Sequence, residues 1–578
     1  MSKKKNKPKK IRPEVLKGFK DYSPREEIAR QKIVSVFKEV FESFGFSPLQ
    51  TPALEKIEVL KGADYGEDNL ATIFNFTGPE KVEMALRFEL TASLARFVAG
   101  NHELPLPFRR YQFAPVWRVD KPGFGRYREF TQFDIDSVGT ASMLADAEIM
   151  AAICKSFEKL NLPNYKIRFS NRKILNGLAK MIGIPVEKAP DVFRVIDKLE
   201  KQGLDAVIKE LGAGRIDKSG DKIPGLNMDN EHIILMREYI SVYDLIVTAK
   251  HELKKEHDIN VEISDDDIAN FFVNYNPTAI RYFIKREGRE EGIGLGEEQS
   301  TAIRNFLTIK KEDQLSVLRY AWSFMVERIN KFQSGELGNF GDNKSSEEIK
   351  CVFDEGIKEY STGLFELNEI RKYLEYLNVP EEKTIIDITV VRGLGYYTGP
   401  VFETYLDDVP EIGSVFSGGR YDSLVARFSG KKMPAVGASA GVDRLLAALL
   451  SKKLISADNT VSEVLVTAMD SEFSGEYIKI LNEIRDAGIK AEIFLGETRN
   501  FTKQVKYADR IGVPIAVILG SEEFENGQIT IKNLIAGREQ AKEVSDREEW
   551  LKAENIQVTI DRKEMIDYLK KLLSKIKS

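Results

Sequence analysis

Apolar positions along this chain change period several times, and each change marks an element. Ile28, Ile33, Val36, Phe37, Val40, Phe41 and Phe44 recur at helical spacing, which predicts a helix over 24–44. Ser23 reads as its N-cap, Pro24 as its first helical residue and Glu26 as the reciprocal partner of a capping box. Gly45 stops it. An extended segment, Phe46 to Leu54, follows, and short strands and loops dense in Arg and aromatic residues then alternate to about residue 140. From about 150 to 380 helical periodicity dominates and charges are mixed. Strand-like runs at 384–393 and 400–406 return the sheet character, and a helix near 441–452 closes the region.

The tail after Ser462 has a texture of its own. SEVLVTAM predicts a strand, SGEYIKILNEIRDAG an amphipathic helix, AEIFLG a strand, FTKQVKYADRIG a helix and PIAVILG a fully apolar strand. Asn526-Gly527 gives a hairpin signal before QITIKNL. Strands alternating with helices predict an α/β unit with largely parallel strands.

Composition adds bounds rather than detail. A chain of 578 residues predicts two to four domains, and 42% hydrophobic with 30% charged residues is the balance of a globular protein with a substantial core. No run of eighteen apolar residues appears, so no membrane partner is expected, and the start lacks the apolar stretch of a secretory signal. Cys154 and Cys351 are isolated, which points to a reducing, cytoplasmic setting and to no structural zinc. The four His (His102, His232, His251, His257) form no recognisable metal or catalytic spacing. A net charge of −5 does not advertise nucleic-acid binding, although local patches decide that question. The one dense patch is the opening, with Lys3, Lys4, Lys5, Lys7, Lys9 and Lys10; it reads either as a solubilising tail or as a non-specific phosphate contact.

The richest stretch for chemistry is Val116 to Gly139. Two strands are expected there, separated by a loop with Pro122, Gly123 and Gly125 and flanked by Arg118, Arg126 and Arg128. Guanidinium forks suit phosphate or carboxylate, and an aromatic face suits a base. Strand pleating puts Phe130, Gln132, Asp134 and Asp136 on one face, which offers a ring, an amide and two carboxylates to one ligand. Composition alone would favour an exposed polar hairpin with solvated charges.

Arg118-x-Asp120, the loop, and Arg126-xxx-Phe130-xxx-Asp134 resemble the second motif of class II aminoacyl-tRNA synthetases. Thr51-Pro52-Ala53-Leu54-Glu55 resembles the dimer-forming first motif, and Gly441-Val442-Asp443-Arg444 the third. Val391-Arg392-Gly393-Leu394-Gly395-Tyr396-Tyr397-Thr398-Gly399 and Ser417-Gly418-Gly419-Arg420-Tyr421-Asp422 resemble the motifs peculiar to histidyl-tRNA synthetases. Lys17-Gly18-Phe19-Lys20-Asp21 and Leu86-Arg87-Phe88-Glu89-Leu90-Thr91 match that family as well. The family often has Glu where Asp120 stands and Asp where Gly395 stands.

The resemblance implies a histidine–tRNA ligase with L-histidine, ATP and tRNA(His) as substrates, Mg2+ accompanying the ATP, and a homodimer. Its fold would be an α+β catalytic core on a mainly antiparallel sheet, a helical insertion and a C-terminal α/β anticodon-binding domain, within an α/β class overall. The implied catalytic pair is Arg118 and Arg392. The implied ATP site is Arg118, Asp120, Arg126, Arg128, Phe130, Arg392 and Arg444, with Phe130 stacking on adenine. Histidine would be met by Glu89, Leu90, Thr91, Gln132, Asp136, Tyr396, Tyr397 and Tyr421: Glu89 and Thr91 at the α-amino group, and the Tyr pair at the imidazole. Arg499, Lys503 and Lys506, where the second helix of the tail begins, are candidates for tRNA phosphates and equally ordinary surface cations.

The domain boundaries expected are 1–12 for a basic tail, 13–165 and 381–455 for the two parts of the catalytic core, 166–380 for a mostly helical region with the insertion, and 460–578 for the anticodon-binding domain. Three rivals stand beside this reading. A non-catalytic regulatory paralogue acting as a histidine sensor would lack the tail module. A synthetase-like domain of a stress-response kinase would need kinase motifs that the sequence lacks. A class II enzyme for another amino acid is opposed by the two histidine motifs.

Overall fold

The computed structural model describes residues 12–61, 73–181, 184–185, 188–196, 198, 202–217, 220–228, 232, 233, 236, 346–387, 390, 397–455, 458–537 and 556–577. They fall into two compact units: the larger holds Leu16–Phe19 and Val34–Ala448, and the smaller includes Leu449–Ser578.

The first helix, α1, spans Pro24–Ser43. Its start is the expected capping box: Ser23 N–H donates to Glu26 Oε2 at 3.0 Å, and Glu26 N–H donates to Ser23 Oγ at 3.4 Å. Its end is set by Gly45, whose φ of +80° lies in the left-handed region that glycine adopts without a Cβ clash.

In chain order the strands of the larger unit are β1 (Ser47–Pro48), β2 (Leu54–Lys56), β3 (Asn75–Thr77), β4 (Glu83–Leu86), β5 (Phe108–Trp117), β6 (Glu129–Val138), β7 (Tyr165–Asn171), β8 (Gly214–Ile216), β9 (Lys222–Pro224), β10 (Thr384–Ile386), β11 (Pro400–Leu406), β12 (Phe416–Arg420) and β13 (Ala435–Gly441). Eight of them form one sheet in the order β1-β5-β6-β13-β12-β11-β7-β10. The two outermost pairings are parallel and the five between them antiparallel, so the mainly antiparallel core sheet is as expected. The sheet joins chain segments more than two hundred residues apart, because β13 inserts beside β6. The run at 384–393 supplies only β10 as strand; residues 388, 389 and 391–396 lie outside the described residues.

Alternation gives this sheet two unlike faces. Tyr111 and Phe113, Phe133 and Ile135, Ala438 and Ala440, Phe416, Phe402, and Ile167 and Phe169 share one side. Phe37 and Phe41 of α1 and Phe157 of the helix Met143–Lys159 cover it, with Phe37 5.8 Å from Phe133 and 6.0 Å from Phe416 between ring centroids. That aromatic layer is the core. The same pleat sends polar residues to the other side, where the site lies.

The expected helical stretch is described in part, as the helices Arg172–Met181, Ala189–Ile196, Leu204–Leu211 and Ser346–Tyr376. The last packs against the first where Gly177 faces Gly356, a Cβ on Gly177 falling 2.6 Å from the Gly356 carbonyl oxygen. Residues 237–345, where the insertion was expected, lie outside the described residues.

The C-terminal sheet has the order β15-β14-β16-β17-β18, with β14 Val464–Val466, β15 Ala491–Ile493, β16 Ile515–Ile518, β17 Gln528–Asn533 and β18 Gln557–Asp561. β14, β15 and β16 pair in parallel as the strand–helix alternation predicts, while β17 and β18 add antiparallel partners. Asn526-Gly527 makes no hairpin. Ser521–Glu525 forms a short helix, Asn526 caps it, and Gly527 at φ +66° turns the chain into β17. The Gly520 N–H bonded to Glu523 favours that extra turn of helix over a two-residue loop.

Candidate functional site

The polar face is read from its register. Arg110 and Gln112 on β5 lie opposite Asp136 and Asp134 on β6, and those two oppose Gly437 and Ser439 on β13. Gln132 opposes Gly441, and Ser417, Gly419 and Glu403 continue the face across β12 and β11. Phe130, Gln132, Asp134 and Asp136 therefore share one side, as the alternation predicts.

At one end of this face stand three cations. Arg118 donates from Nε to the Phe88 carbonyl at 2.9 Å and holds its guanidinium 5.2 Å from the Phe130 ring centroid. Arg444, in the first turn of the helix Val442–Ser451, donates to the Ser414 carbonyl at 2.7 Å. Burial lowers its pKa, and the nearby charges of Arg126 and Arg118 lower it further. Like charges gathered against a partly buried guanidinium make a site for a polyanion. The loop before β6 is seated by Gly125 at φ +64°, where a Cβ would lie 2.9 Å from Ile412 and 3.3 Å from Arg444 Cα. Gly18 docks on the same loop: Arg128 N–H donates to its carbonyl at 2.7 Å.

At the other end the groups change to carboxylates and phenols. Tyr421 O–H donates to Asp136 Oδ1 at 2.5 Å, and Arg110 Nη2 lies 2.8 Å from Asp136 Oδ2. Asp136 reaches this position because Gly437 leaves room: a Cβ there would lie 1.8 Å from its Oδ1. The Tyr397 ring rests on Gly419, where a Cβ would come within 2.9 Å of it. Burial raises the Asp136 carboxyl against Arg110 and Tyr421, which favour its anion. Burial also raises both phenols, with Asp136 adding to the rise, so Tyr397 and Tyr421 are donors at neutral pH.

Between the two ends, Gln132 Nε2 donates to Ser439 Oγ at 2.7 Å, and its buried Oε1 has no partner among the described residues. Glu89 sits at the N-terminus of α2 (Thr91–Ala99) and accepts from the main-chain N–H of Thr91 at 2.5 Å and of Ala92 at 2.8 Å. These donors satisfy the open N–H groups of the helix start and fix the carboxylate in place. Two further anchors hold the frame. Arg87, 3% exposed, donates to the carbonyls of Thr51, Pro52 and Pro115, and Asp443 accepts from Thr131 N–H at 2.6 Å.

One polar face thus carries a polyanion site at one end and a hydrogen-bonding pocket at the other, with an aromatic ring beside the cations. The family model described as histidyl-tRNA synthetase matches residues 18–283 and 291–445. The chain belongs to the histidyl-tRNA synthetase family.

An anticodon binding domain model matches residues 463–572. The histidine–tRNA ligase of Paracoccus denitrificans is 35% identical over 99% of this chain and 100% of its own length. That of Rhizobium meliloti is 33% identical over 99% and 98%. Among solved structures, the histidyl-tRNA synthetase from Nostoc sp. PCC 7120 superposes with a TM-score of 0.65 at 26% identity, covering 97% of this chain and all of its own.

Within this family member, the structure sorts the residues expected from sequence. Glu89, Gln132, Asp136, Tyr397 and Tyr421 meet around one pocket, and Arg118, Arg126 and Arg444 around the other. Thr91 presents its main chain to Glu89, and the buried Leu90 side chain packs with Ala114 and Val116, so Leu90 offers only its main chain. Arg128 bonds the carbonyls of Asp120 and Lys17, a clamp on the loop, and Asp120 itself is exposed. Arg392 and Tyr396 lie outside the described residues. Arg420 is engaged away from the pocket, with Asp146 and the carbonyls of Thr140 and Ser142. In the tail, Lys503 and Lys506 are exposed on the helix Phe501–Ile511, while Arg499 donates to the Ala468 carbonyl.

Arg110, Gln112 and Gly437 were missed from sequence. The alternation Arg110-Tyr111-Gln112-Phe113 was the available signal, since it marks a strand with one polar face. An open cleft of about 730 Å³ beside Thr51, Glu55, Arg96 and Arg427 shares no lining residue with this site.

Proposed function

We propose that this member of the histidyl-tRNA synthetase family performs histidine–tRNA ligation on the polar face of its eight-stranded sheet, in two steps. The histidine carboxylate attacks the α-phosphorus of ATP in line, and pyrophosphate leaves. The terminal ribose hydroxyl of tRNA(His) then attacks the carbonyl of the adenylate, and AMP leaves. Displacement at phosphorus needs positioning and charge stabilisation more than a covalent nucleophile. The observation that carries this reading is the gathering of Arg118, Arg126 and Arg444 beside Phe130, at the opposite end of the same strand face from the Asp136–Tyr421 pair.

Arg118 and Arg392 are assigned to the α-phosphate, Arg444 and Arg126 to the rest of the nucleotide, and Phe130 to the adenine. Glu89, Thr91 and Gln132 are assigned to the substrate's α-amino group, and Asp136, Tyr396, Tyr397 and Tyr421 to the imidazole side. A carboxylate and a phenol can satisfy both ring nitrogens, so an analogue lacking one nitrogen would leave a buried polar group unpaired. Among the described residues no group of three or more His, Cys, Asp or Glu side chains could hold a metal ion. Mg2+ is assigned to the β- and γ-phosphates of ATP, with most of its waters, where it would neutralise the departing pyrophosphate.

The module from 460 onward is assigned to the anticodon of tRNA(His), supported by the family match at 463–572. A homodimer through the Thr51–Glu55 segment and a cytoplasmic location complete the reading; they rest on the resemblance of that segment and on the family's place in translation. Among the described residues no helix is long and apolar enough to cross a membrane.

The test is exchange of labelled pyrophosphate into ATP by the purified chain, without tRNA, across all twenty amino acids. Exchange with histidine alone supports the reading. Binding of histidine without exchange would favour the regulatory paralogue. Arg392→Ala should abolish exchange and leave the fold intact, and near-normal exchange in that variant would remove Arg392 from the catalytic pair.

A further inference from the structure

Asp134 is buried on the polar face, yet the proposed chemistry does not use it. It stands on β6 between Gln132 and Asp136, opposite Gln112 on β5 and Ser439 on β13, and is 3% exposed. Charges face it from three sides, Arg110 from β5, Asp136 from its own strand and Glu89 at the start of α2, with Arg87 beyond them, while Ser439 of β13 hydrogen-bonds to its carboxyl. Tyr397 and Tyr421 close the same pocket, and Asp134 acts on the Tyr397 phenol.

Arg110 does not serve the two aspartates equally. Its Nη2 is 2.8 Å from Asp136 Oδ2 but 4.0 Å from Asp134 Oδ2. Tyr421 also donates to Asp136. Among the described residues, the buried Asp134 Oδ1 has no hydrogen-bond partner. A buried carboxylate oxygen without a donor is costly and calls for an explanation in a ligand or a function.

We infer that Asp134 is a further positioning residue of the histidine pocket, its unpartnered carboxylate oxygen being the negative charge left over by the Arg110–Asp136 pair for the ammonium group of the bound amino acid. This rests on the reading that histidine lies along the face from Phe130 to Asp136. Asp134 falls midway between the residues assigned to the amino group and to the imidazole, beneath the centre of such a ligand.

The geometry has a consequence in protons. Burial pushes the Asp134 carboxyl up to about 7, Arg110 pulls it down, and Asp136 adds to the rise. In the free protein near pH 7 the group is therefore partly a neutral acid. A cation arriving beside it favours the anion and lowers its pKa, so binding releases the Asp134 proton to solvent. Histidine affinity accordingly rises with pH through about 7.

The experiment is calorimetric titration of the full chain with histidine at pH 7, in buffers of different ionisation enthalpy. The proton count of the parent minus that of Asp134→Asn isolates this group from the imidazole of histidine itself. The parent is expected to release more protons on binding than Asp134→Asn. In Asp134→Asn that excess should be lost, Kd should rise about tenfold, a change of about 1.4 kcal/mol, and its pH dependence should flatten between pH 6 and 8. Asp134→Glu should restore part of the release. Equal proton counts and equal Kd in parent and Asn variant would overturn the inference, and the same comparison with Asp134→Ser decides it should the Asn variant not fold. Asp136→Asn separates the two readings. If it weakens histidine binding while Asp134→Asn does nothing, only the role of Asp134 falls; if neither matters, the pocket assignment falls with it.

Discussion

The two sheets of this protein use the same two-residue alternation to opposite ends. In the C-terminal sheet the central strands β14 and β16 are apolar on both faces and covered on both. Val464, Val466, Ile515 and Val517 face the helices Ser474–Asp486 and Met565–Lys577, while Leu465 and Ala516 face Ala508 on the helix Phe501–Ile511. In the eight-stranded sheet only one face meets helices through an aromatic layer, and the other gathers Arg110, Gln132, Asp134, Asp136 and Ser439. A sheet covered on both sides is a scaffold whose ligands must be met at its edges, loops or helices. A sheet with a buried polar face carries its chemistry on the strands, where the backbone ladder holds each group.

The apolar face is where the largest effect on stability is expected. Phe133 is 1% exposed and lies 5.1 Å from Phe41 and 5.8 Å from Phe37 between ring centroids. Phe133→Ala should cost about 3–5 kcal/mol by lost burial and the cavity left behind. Its side chain points away from the ligand, so the folded fraction should keep a histidine KM close to the parent's. Denaturant unfolding together with steady-state pyrophosphate exchange checks both halves. A large change in KM with unchanged stability would mean the faces are not functionally separate.

A sharper version uses two glycines on adjacent strands. Gly437 points to the polar face, where a Cβ would lie 1.8 Å from Asp136 Oδ1; Gly418 points to the apolar face, where one would lie 2.7 Å from Phe402 Cζ and 2.4 Å from the Gly437 carbonyl oxygen. Gly437→Ala should displace the Asp136 carboxylate from Tyr421 and raise histidine KM roughly ten- to a hundredfold, about 1.4–2.7 kcal/mol. Gly418→Ala should overpack the core, lowering stability by about 1–3 kcal/mol with KM unmoved. Kinetics and thermal melting of the pair decide it, and equal effects of both on KM would erase the distinction.

How much of this was legible in the sequence follows from the range over which each signal acts. The ends of α1 were readable because Ser23, Glu26 and Gly45 act within a few residues of the backbone they cap. The shared face of Phe130, Gln132, Asp134 and Asp136 was readable because the pleat is local. Arg110 could not be placed beside Asp136 until the register of β5 on β6 was known, since pairing depends on the loop between them. Gly437 was still less accessible: its role exists only because β13, some three hundred residues later, inserts against β6. The catalytic motifs were found by resemblance, while the contacts that support them needed the sheet. Asn526-Gly527 failed for the opposite reason, since a strong local turn signal was used to end a helix.

The smallest effect should come from the C-terminal unit, and it tests whether a sheet whose central strands are covered on both faces contributes through its helices. Lys503 and Lys506 are exposed on one helix whose N-cap, Asn500, accepts from Lys503 N–H at 3.1 Å. Exposed cations are screened, and each contact with an RNA phosphate contributes only about 0.7–0.9 to the salt slope of binding. Replacing both with Ala should raise the KM for tRNA a few-fold and reduce that slope by roughly one to two. Pyrophosphate exchange without tRNA should not change, because the polar face of the other sheet is untouched. Arg499 is left in place for this test, since its bond to the Ala468 carbonyl gives it a structural part. Aminoacylation at several salt concentrations is the measurement. An unchanged slope would make the two lysines ordinary surface and would move the RNA contact to another part of the unit, while a fall in exchange would show that the two sheets do not work independently.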